Sequence, residues 1–176
     1  MTLQPSEIES VSTVLFYWTT AFSIIEPLTS VLFFAKSREL KTRNTGLAVL
    51  CDFFYRSHII LYPMYIWKYI LNRGYIPEKD DYKGLCEYIA IYCAFLIVLD
   101  MIWDRVVNGI PYLRSIHYMD IFERYMKSTK PIAIAGDVVH GASWITLTWW
   151  MYHNLDGISA FSIFFGGLFL LTLISA

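Results

Sequence analysis

The stretch AIAGDVVHGASW, residues 133–144, places a carboxylate and an imidazole inside an otherwise apolar segment. The residues around it, PIAIAG (131–136) and ITLTWW (145–150), are typical of a helix that faces lipid. Asp137 and His140 are three residues apart, so a helix places both on one face with Gly141 and Trp144. The stretch therefore predicts an apolar helix with one polar face.

The composition is that of a membrane protein. The chain has 176 residues, of which 56% are hydrophobic and only 16% are charged, and its mean hydropathy is +0.45. Soluble domains carry about a quarter charged residues, so the long apolar runs favour a lipid bilayer as the surroundings. The net charge of −1 gives no basis for binding nucleic acid.

The N-terminal residues and the cysteine spacing indicate neither a targeting sequence nor a cysteine-based site. The first eleven residues hold two glutamates and no lysine or arginine, so we expect no cleaved presequence. Cys51, Cys86 and Cys93 form no CxxC or CxxCH pattern. A disulfide framework, a zinc ribbon and covalently attached haem are therefore not expected.

Hydropathy predicts an all-α fold, a helical bundle that forms a single transmembrane domain over 1–176. A spanning helix needs about 20 mainly apolar residues. Between the third and fourth predicted spans, polar residues recur every three or four positions, which predicts an amphipathic helix at the membrane surface. The five predicted spans are 12–35, 46–70, 85–105, 131–153 and 157–176, and the interfacial helix covers about 111–128.

The distribution of lysine and arginine among the linkers predicts the orientation. The first linker (36–44) and the third (106–130) each carry four basic residues, whereas the N-terminus and the fourth linker (153–157) carry none. By the positive-inside rule, the N-terminus lies outside and the C-terminus inside. Four tryptophans near the predicted outer ends of the spans fit an aromatic belt, namely Trp18, Trp67, Trp149 and Trp150.

The ionisable residues of the first four spans share one depth. Counted at about 1.5 Å per residue from the inner end of each span, they fall in the inner half of the hydrocarbon. A charge that faces lipid costs several kcal/mol, so we expect these spans to turn their ionisable side chains toward one another. The predicted buried polar cluster comprises Glu26, Asp52, Arg56, His58, Asp100, Asp137 and His140.

Each member of this set also has a purely structural interpretation. Asp52 and Arg56 are four residues apart, which favours an ion pair within one helix. Ion pairs alone do not account for all the acids, because four deep carboxyl groups accompany a single deep arginine. The excess requires protonated acids, histidinium or a bound cation. The cluster is therefore a candidate functional site, and whether it holds a metal ion stays open.

Three classes of function fit these features. The first is a structural or interaction subunit of a larger membrane assembly, which is favoured by the lack of catalytic motifs and by Ser162 and Gly166, a small-xxx-small pair in the last span. The second is a protein that translocates protons or cations. The third is an intramembrane enzyme, or a respiratory accessory subunit that binds haem b or quinone, with His58 and His140 as possible haem ligands.

The run MDIFERYMKSTKPIAIAGD (119–137), about a tenth of the chain, resembles uncharacterised multi-pass membrane proteins of large DNA viruses. The resemblance implies a component of a virion inner membrane; an organellar membrane is equally compatible with the composition. It favours the structural class and assigns no role to any residue. We expect a structural subunit with no catalytic residue and no cofactor, whose partners are the bilayer and other membrane proteins.

Overall fold

The computed structural model describes the chain over 5–29, 53–110 and 117–175, apart from the side chains of 5–9, 29, 104, 107–108, 117–134 and 174–175. All regular structure in these ranges is helical, and they contain no strand. The all-α fold class is therefore confirmed. The helices are α1 (Pro5–Thr29), α2 (53–59), α3 (Leu61–Tyr65), α4 (Tyr82–Gly109), α5 (His117–Asn154) and α6 (Gly157–Ser175).

Residues 53–70, which we call the 53–70 rod, form one nearly continuous helical segment. It comprises α2, α3 and a π-helical turn over Ile66–Ile70. Ile60 joins α2 to α3 because its amide donates to Arg56 O at 3.2 Å and its own carbonyl accepts from Met64 N at 3.2 Å. The rod ends at Ile70, and two residues later Asn72 has a φ of 59°, a left-handed conformation that asparagine tolerates better than most residues.

One helix in the described ranges is both long and apolar enough to cross a membrane. It covers Tyr82–Trp103 within α4 and has a mean hydropathy of 2.1. The apolar run Gly157–Leu173 in α6 is shorter. Helix length and hydropathy therefore do not establish the finer prediction of five spans. Parts of the first two predicted spans, residues 30–35 and 46–52, lie outside the described ranges.

The structure has no helix end between the predicted interfacial helix (111–128), of which 111–116 lie outside the described ranges, and the predicted fourth span (131–153). A single helix, α5, runs from His117 to Asn154. The sequence argument relied on a change from an amphipathic to an apolar pattern, which reports what the side chains face. The helical dihedral angles continue across such a change and across Pro131, which has no N–H and removes one hydrogen bond of the helix.

Aromatic residues form much of the core. The indoles of Trp18 in α1 and Trp144 in α5 are stacked with their ring centroids 4.1 Å apart and an interplanar angle of 11°, and both side chains are fully buried. Trp144 Nε1 donates to Trp18 O at 2.8 Å, and Trp18 Nε1 donates to Ser57 Oγ at 3.0 Å. This stack joins α1, α5 and the 53–70 rod.

The predicted aromatic belt is wrong for three of its four tryptophans. Trp18, Trp67 and Trp149 are buried inside the protein, and only Trp150 is exposed. The indole N–H of Trp149 is used inside the protein, because Nε1 donates to Pro77 O at 3.0 Å. Position near the end of a span does not specify which face of the helix a side chain occupies, so the sequence could not separate a belt residue from a core residue.

The loop over 71–81 covers one end of the bundle. Tyr88 OH of α4 donates to Tyr75 O at 3.3 Å, and His153 Nε2 of α5 lies 2.8 Å from Pro77 O. Tyr17 OH of α1 donates to Leu155 O at the same end. The N-terminal half of α1, the start of α4 and the end of α5 therefore lie on one side of the molecule.

Candidate functional site

Six polar side chains from four helices lie near one another, several helical turns away from the 71–81 loop. We call this group the polar cluster. In it, α1 contributes a glutamate, α2 an adjacent tyrosine and arginine, α4 an aspartate, and α5 an aspartate and a histidine one turn apart. Its members are Glu26, Tyr55, Arg56, Asp100, Asp137 and His140.

The shortest ionic contact of the polar cluster joins the 53–70 rod to α5. Arg56 Nη2 donates to Asp137 Oδ1 at 2.6 Å. The side chain of Arg56 is only 6% exposed, whereas that of Asp137 is 29% exposed. A charge-assisted hydrogen bond of this length is among the stronger polar contacts in proteins, and its removal would take a charged partner from a buried guanidinium.

A second contact joins the 53–70 rod to α4. Tyr55 OH donates to Asp100 Oδ1 at 2.5 Å, and Asp100 is buried. The phenol brings no positive charge, so this hydrogen bond satisfies an oxygen of Asp100 without neutralising a carboxylate. Tyr55 and Arg56 are neighbours in the chain, and together they attach the rod to two other helices.

The third contact joins α1 to α5. Glu26 Oε2 lies 3.7 Å from His140 Nε2, a distance that makes an ion pair when the imidazole is protonated. Glu26 is buried, and the side chain of His140 is 14% exposed. On α1 the same face carries Ser23, which is also buried, as expected from the sequence spacing.

An aromatic layer lies between the polar cluster and the 71–81 end. The ring of His140 is 5.8 Å from that of Trp144, and Phe22 packs against Trp144 with a centroid distance of 5.1 Å. Since Trp18 and Trp144 are fully buried, the layer separates the polar level from the loop end with closely packed rings. The two halves of the bundle therefore differ in polarity, as the sequence predicts.

The charges within the polar cluster are unequal. Three carboxyl groups (Glu26, Asp100 and Asp137) accompany one guanidinium and one imidazole. With all acids ionised, three negative charges against the one positive charge of Arg56 leave an excess of two, or of one when His140 is protonated. The charged groups of the polar cluster therefore do not balance one another, an arrangement that is costly away from water.

Of the seven residues that the sequence predicts for this site, five meet through these contacts: Glu26, Arg56, Asp100, Asp137 and His140. Asp52 lies outside the described ranges, so the predicted Asp52–Arg56 pair stays a prediction. His58 is exposed, and its ring lies 5.3 Å from Tyr55 and 6.0 Å from Tyr62. The two histidines proposed as haem ligands thus have different neighbours.

Metal binding finds no support among the side chains that the structure describes. No group of three or more histidine, cysteine, aspartate or glutamate residues there is arranged to hold a metal ion. Cys93, the buried thiol of α4, instead lies 3.9 Å from Val138 O. It packs as a small apolar residue, as free cysteines in protein interiors commonly do.

Sequence reasoning missed Tyr55 as a member of the site. The tyrosine lies beside Arg56 in the chain, but it is one of 13 tyrosines and does not stand out within an apolar segment. A phenol at the level of several carboxylates is the signal that would have identified it, since tyrosine is a good donor to a carboxylate. The sequence likewise does not identify Asp137 as the partner of Arg56.

No known protein family, curated protein or solved structure matches this chain.

Proposed function

We propose that the chain is an integral membrane protein with five spans, the N-terminus outside and the C-terminus inside. The membrane-length helix Tyr82–Trp103, the exposed apolar residues of α6 and the unequal distribution of basic residues among the linkers support this. The antiparallel arrangement around the 71–81 loop is also compatible with short linkers on alternate sides of a bilayer.

The function we infer is that of a structural or interaction subunit in a larger membrane assembly. One observation carries this proposal: each carboxyl group of the polar cluster contacts a donor from a different helix. Glu26 meets His140, Asp100 meets Tyr55, and Asp137 meets Arg56. Polar groups used in this way fix which helices pair and at what level, which is a structural task.

The outer surface of α6 supports an interaction role. Ser162 and Gly166 are both exposed, and a Cβ built at Gly166 meets no atom within 4 Å. The small-xxx-small pair therefore lies away from the internal interface, where α6 packs on α1. An exposed pair of this kind allows the backbone of a neighbouring helix to approach closely.

Purification from membranes in a mild detergent tests the assembly proposal. We expect the native mass to exceed that of one chain with its detergent, and we expect another membrane protein in a fixed ratio. A lone chain in the detergent particle would contradict the proposal.

Thiol labelling tests the orientation. In a Cys51→Ser/Cys86→Ser background, Glu78→Cys places a thiol on the exposed 71–81 loop. We expect a membrane-impermeant reagent to label it from the outer, non-cytosolic side of intact membranes. Labelling only from the cytosolic side would reverse the proposed orientation, and release of the protein by alkaline washing would contradict membrane insertion.

A second candidate function, proton or cation translocation, is favoured by the buried contact between Glu26 and His140 and by the excess of acids around it. Acid and imidazole groups at one depth are typical of proton relays. Proton flux into liposomes would test it, with Glu26→Gln expected to abolish the flux and Asp156→Asn, which changes an acid outside the polar cluster, expected to preserve it. Wild-type liposomes without flux would remove this candidate.

The remaining alternatives are separated by simple measurements. A Soret absorption band in the purified protein would favour the haem-binding respiratory subunit, with His58 and His140 as the ligands to test. A virion inner membrane, as the resemblance of residues 119–137 implies, or an organellar membrane, is the proposed location. Fractionation of the source material distinguishes the two.

A further inference from the structure

His58 is a polar residue on an otherwise apolar outer surface. Its side chain is exposed, and its imidazole contacts only the rings of Tyr55 and Tyr62, which belong to the same 53–70 rod. Across the described residues, the structure records no hydrogen bond or ion pair to His58. Within the described part of the chain, the imidazole is therefore held in place by ring contacts alone.

Contacts on either side of His58 fix its level against α4. Tyr62, four residues later in the rod, stacks on Phe95 with centroids 4.8 Å apart, and Tyr55, three residues earlier, bonds Asp100. His58 therefore lies level with α4 between Phe95 and Asp100, inside the membrane-length segment Tyr82–Trp103. In a bilayer, this imidazole would face the hydrocarbon and not the interfacial region, which is unfavourable for a polar group.

The surroundings of His58 suit the docking of another helix. Phe54, Leu61 and Tyr65 are all exposed, and with His58 they occur at successive spacings of four, three and four residues. This spacing presents one continuous stripe along a helix and is the pattern by which two helices interlock. The stripe is apolar except at His58 and at the phenolic hydroxyl of Tyr65, which lies two turns further along the rod.

The paired groups of the polar cluster indicate what kind of group would suit His58. At this level Arg56, Tyr55 and His140 each face a carboxyl group on a different helix. We propose that His58 is the polar anchor of a docking face for a transmembrane helix of a different chain, which presents a carboxyl group at the level of His58. The inference rests on the proposed role as an assembly subunit and names the partner's chemistry.

Substitution of His58 tests the anchor. His58→Leu replaces an exposed imidazole by an apolar side chain, which suits the apolar surface around it, so we expect the fold to be preserved. We expect it to weaken retention of the partner by about threefold to fifteenfold, the range of measured interhelical hydrogen bonds in membranes. His58→Gln, which still donates and accepts hydrogen bonds, should restore most of the retention, and Phe169→Leu on the exposed surface of α6 is the control that should change nothing.

Cross-linking identifies the group opposite His58. In the His58→Lys variant, a membrane-permeant carbodiimide joins the introduced amine to a carboxylate within contact distance. We expect an amide bond to an aspartate or glutamate in an apolar segment of a different protein. A bond only to lipid, only to a second copy of this chain, or no bond at all would overturn the proposal.

The two proposals fail in different ways. If the wild-type protein purifies as a lone chain, the assembly role itself is wrong. If the wild type retains its partner and His58→Leu retains it equally well, the assembly role stands and the docking face at His58 is wrong.

Discussion

At the scale of single residues, the sequence indicated which side chains turn inward but not which of them pair. Glu26, Asp100 and Asp137 were predictable as inward-facing because a carboxylate in an apolar helix avoids lipid. The Arg56–Asp137 contact was not predictable, because a partner on another helix depends on the rotation and height of both helices. Sequence spacing favours only partners within one helix, as it did for Asp52 and Arg56.

Asp156 provides a residue-scale prediction outside the spans. It caps α6, since its carboxylate accepts from Ile158 N at 2.9 Å and from Ser159 N at 3.0 Å. Hydrogen bonds to Ser159, from both its backbone and its side chain, lower the pKa of Asp156 from the usual 3.8. A folded-state pKa below the unfolded value stabilises the protein above pH 3.8, and this stabilisation is lost as the pH falls through the folded-state pKa.

The measurement is thermal unfolding of the wild type and of Asp156→Asn in detergent at pH 6 and pH 3. Asparagine still caps a helix but does not titrate. We expect the variant to be less stable at pH 6 and the difference in Tm to shrink at pH 3. A difference that is the same at both values of pH would contradict the assigned role.

Gly141 provides a second prediction at this scale. A Cβ there would lie 2.6 Å from Cε1 of Tyr92, whose buried ring has little room to move. Gly141→Ala should therefore cost about 1–3 kcal/mol of stability. Gly136→Ala, five residues earlier in α5 with open space at its Cβ, should be neutral or stabilising because alanine favours helix. Denaturant unfolding of both variants checks this, and equal effects would contradict the close contact of α5 with α4.

At the scale of elements, helix existence was predictable and helix boundaries were not. The apolar runs marked α4 and α6 correctly because long apolar segments leave few alternatives to helix. The sequence did not indicate that α5 continues through the predicted interfacial segment, nor that the 53–70 rod ends in a π-helical turn. The continuation of α5 and the π-helical turn both depend on backbone hydrogen bonds, and the periodicity of side chains does not report these bonds.

The interface between α1 and α6 allows a prediction from two adjacent glycines. A Cβ at Gly167 would overlap the backbone oxygen of Ser23, whereas a Cβ at Gly166 meets nothing within 4 Å. Gly167→Ala should force the two helices apart and destabilise the protein by about 1–3 kcal/mol. Gly166→Ala should leave the unfolding free energy nearly unchanged, although it fills the exposed face proposed for partners.

Unfolding in mixed micelles measures the destabilisation by Gly167→Ala. Native mass measures whether Gly166→Ala changes the binding of partners to the exposed face of α6. If Gly166→Ala destabilises the isolated chain as much as Gly167→Ala does, α6 is rotated differently against α1.

At the scale of the whole molecule, the polar cluster and the aromatic layer divide the bundle into a polar half and an apolar half. The sequence predicted this division because the ionisable residues of different spans lie at matching distances from the span ends. It misassigned Trp18, Trp67 and Trp149 to the membrane interface. Tryptophan suits both a core and an interface, so depth alone does not distinguish the two locations.

The central claim is that charged groups paired across helices hold this bundle together. A double-mutant cycle on Arg56 and Asp137, followed by unfolding in mixed micelles, tests it most directly. Arg56→Met and Asp137→Leu should each cost about 2–4 kcal/mol, because each leaves a charge without its partner, with the smaller cost for Arg56→Met since Asp137 is 29% exposed. The double variant should cost no more than either single variant, a coupling of at least about 2 kcal/mol. Costs that add to within about 0.5 kcal/mol would contradict the claim.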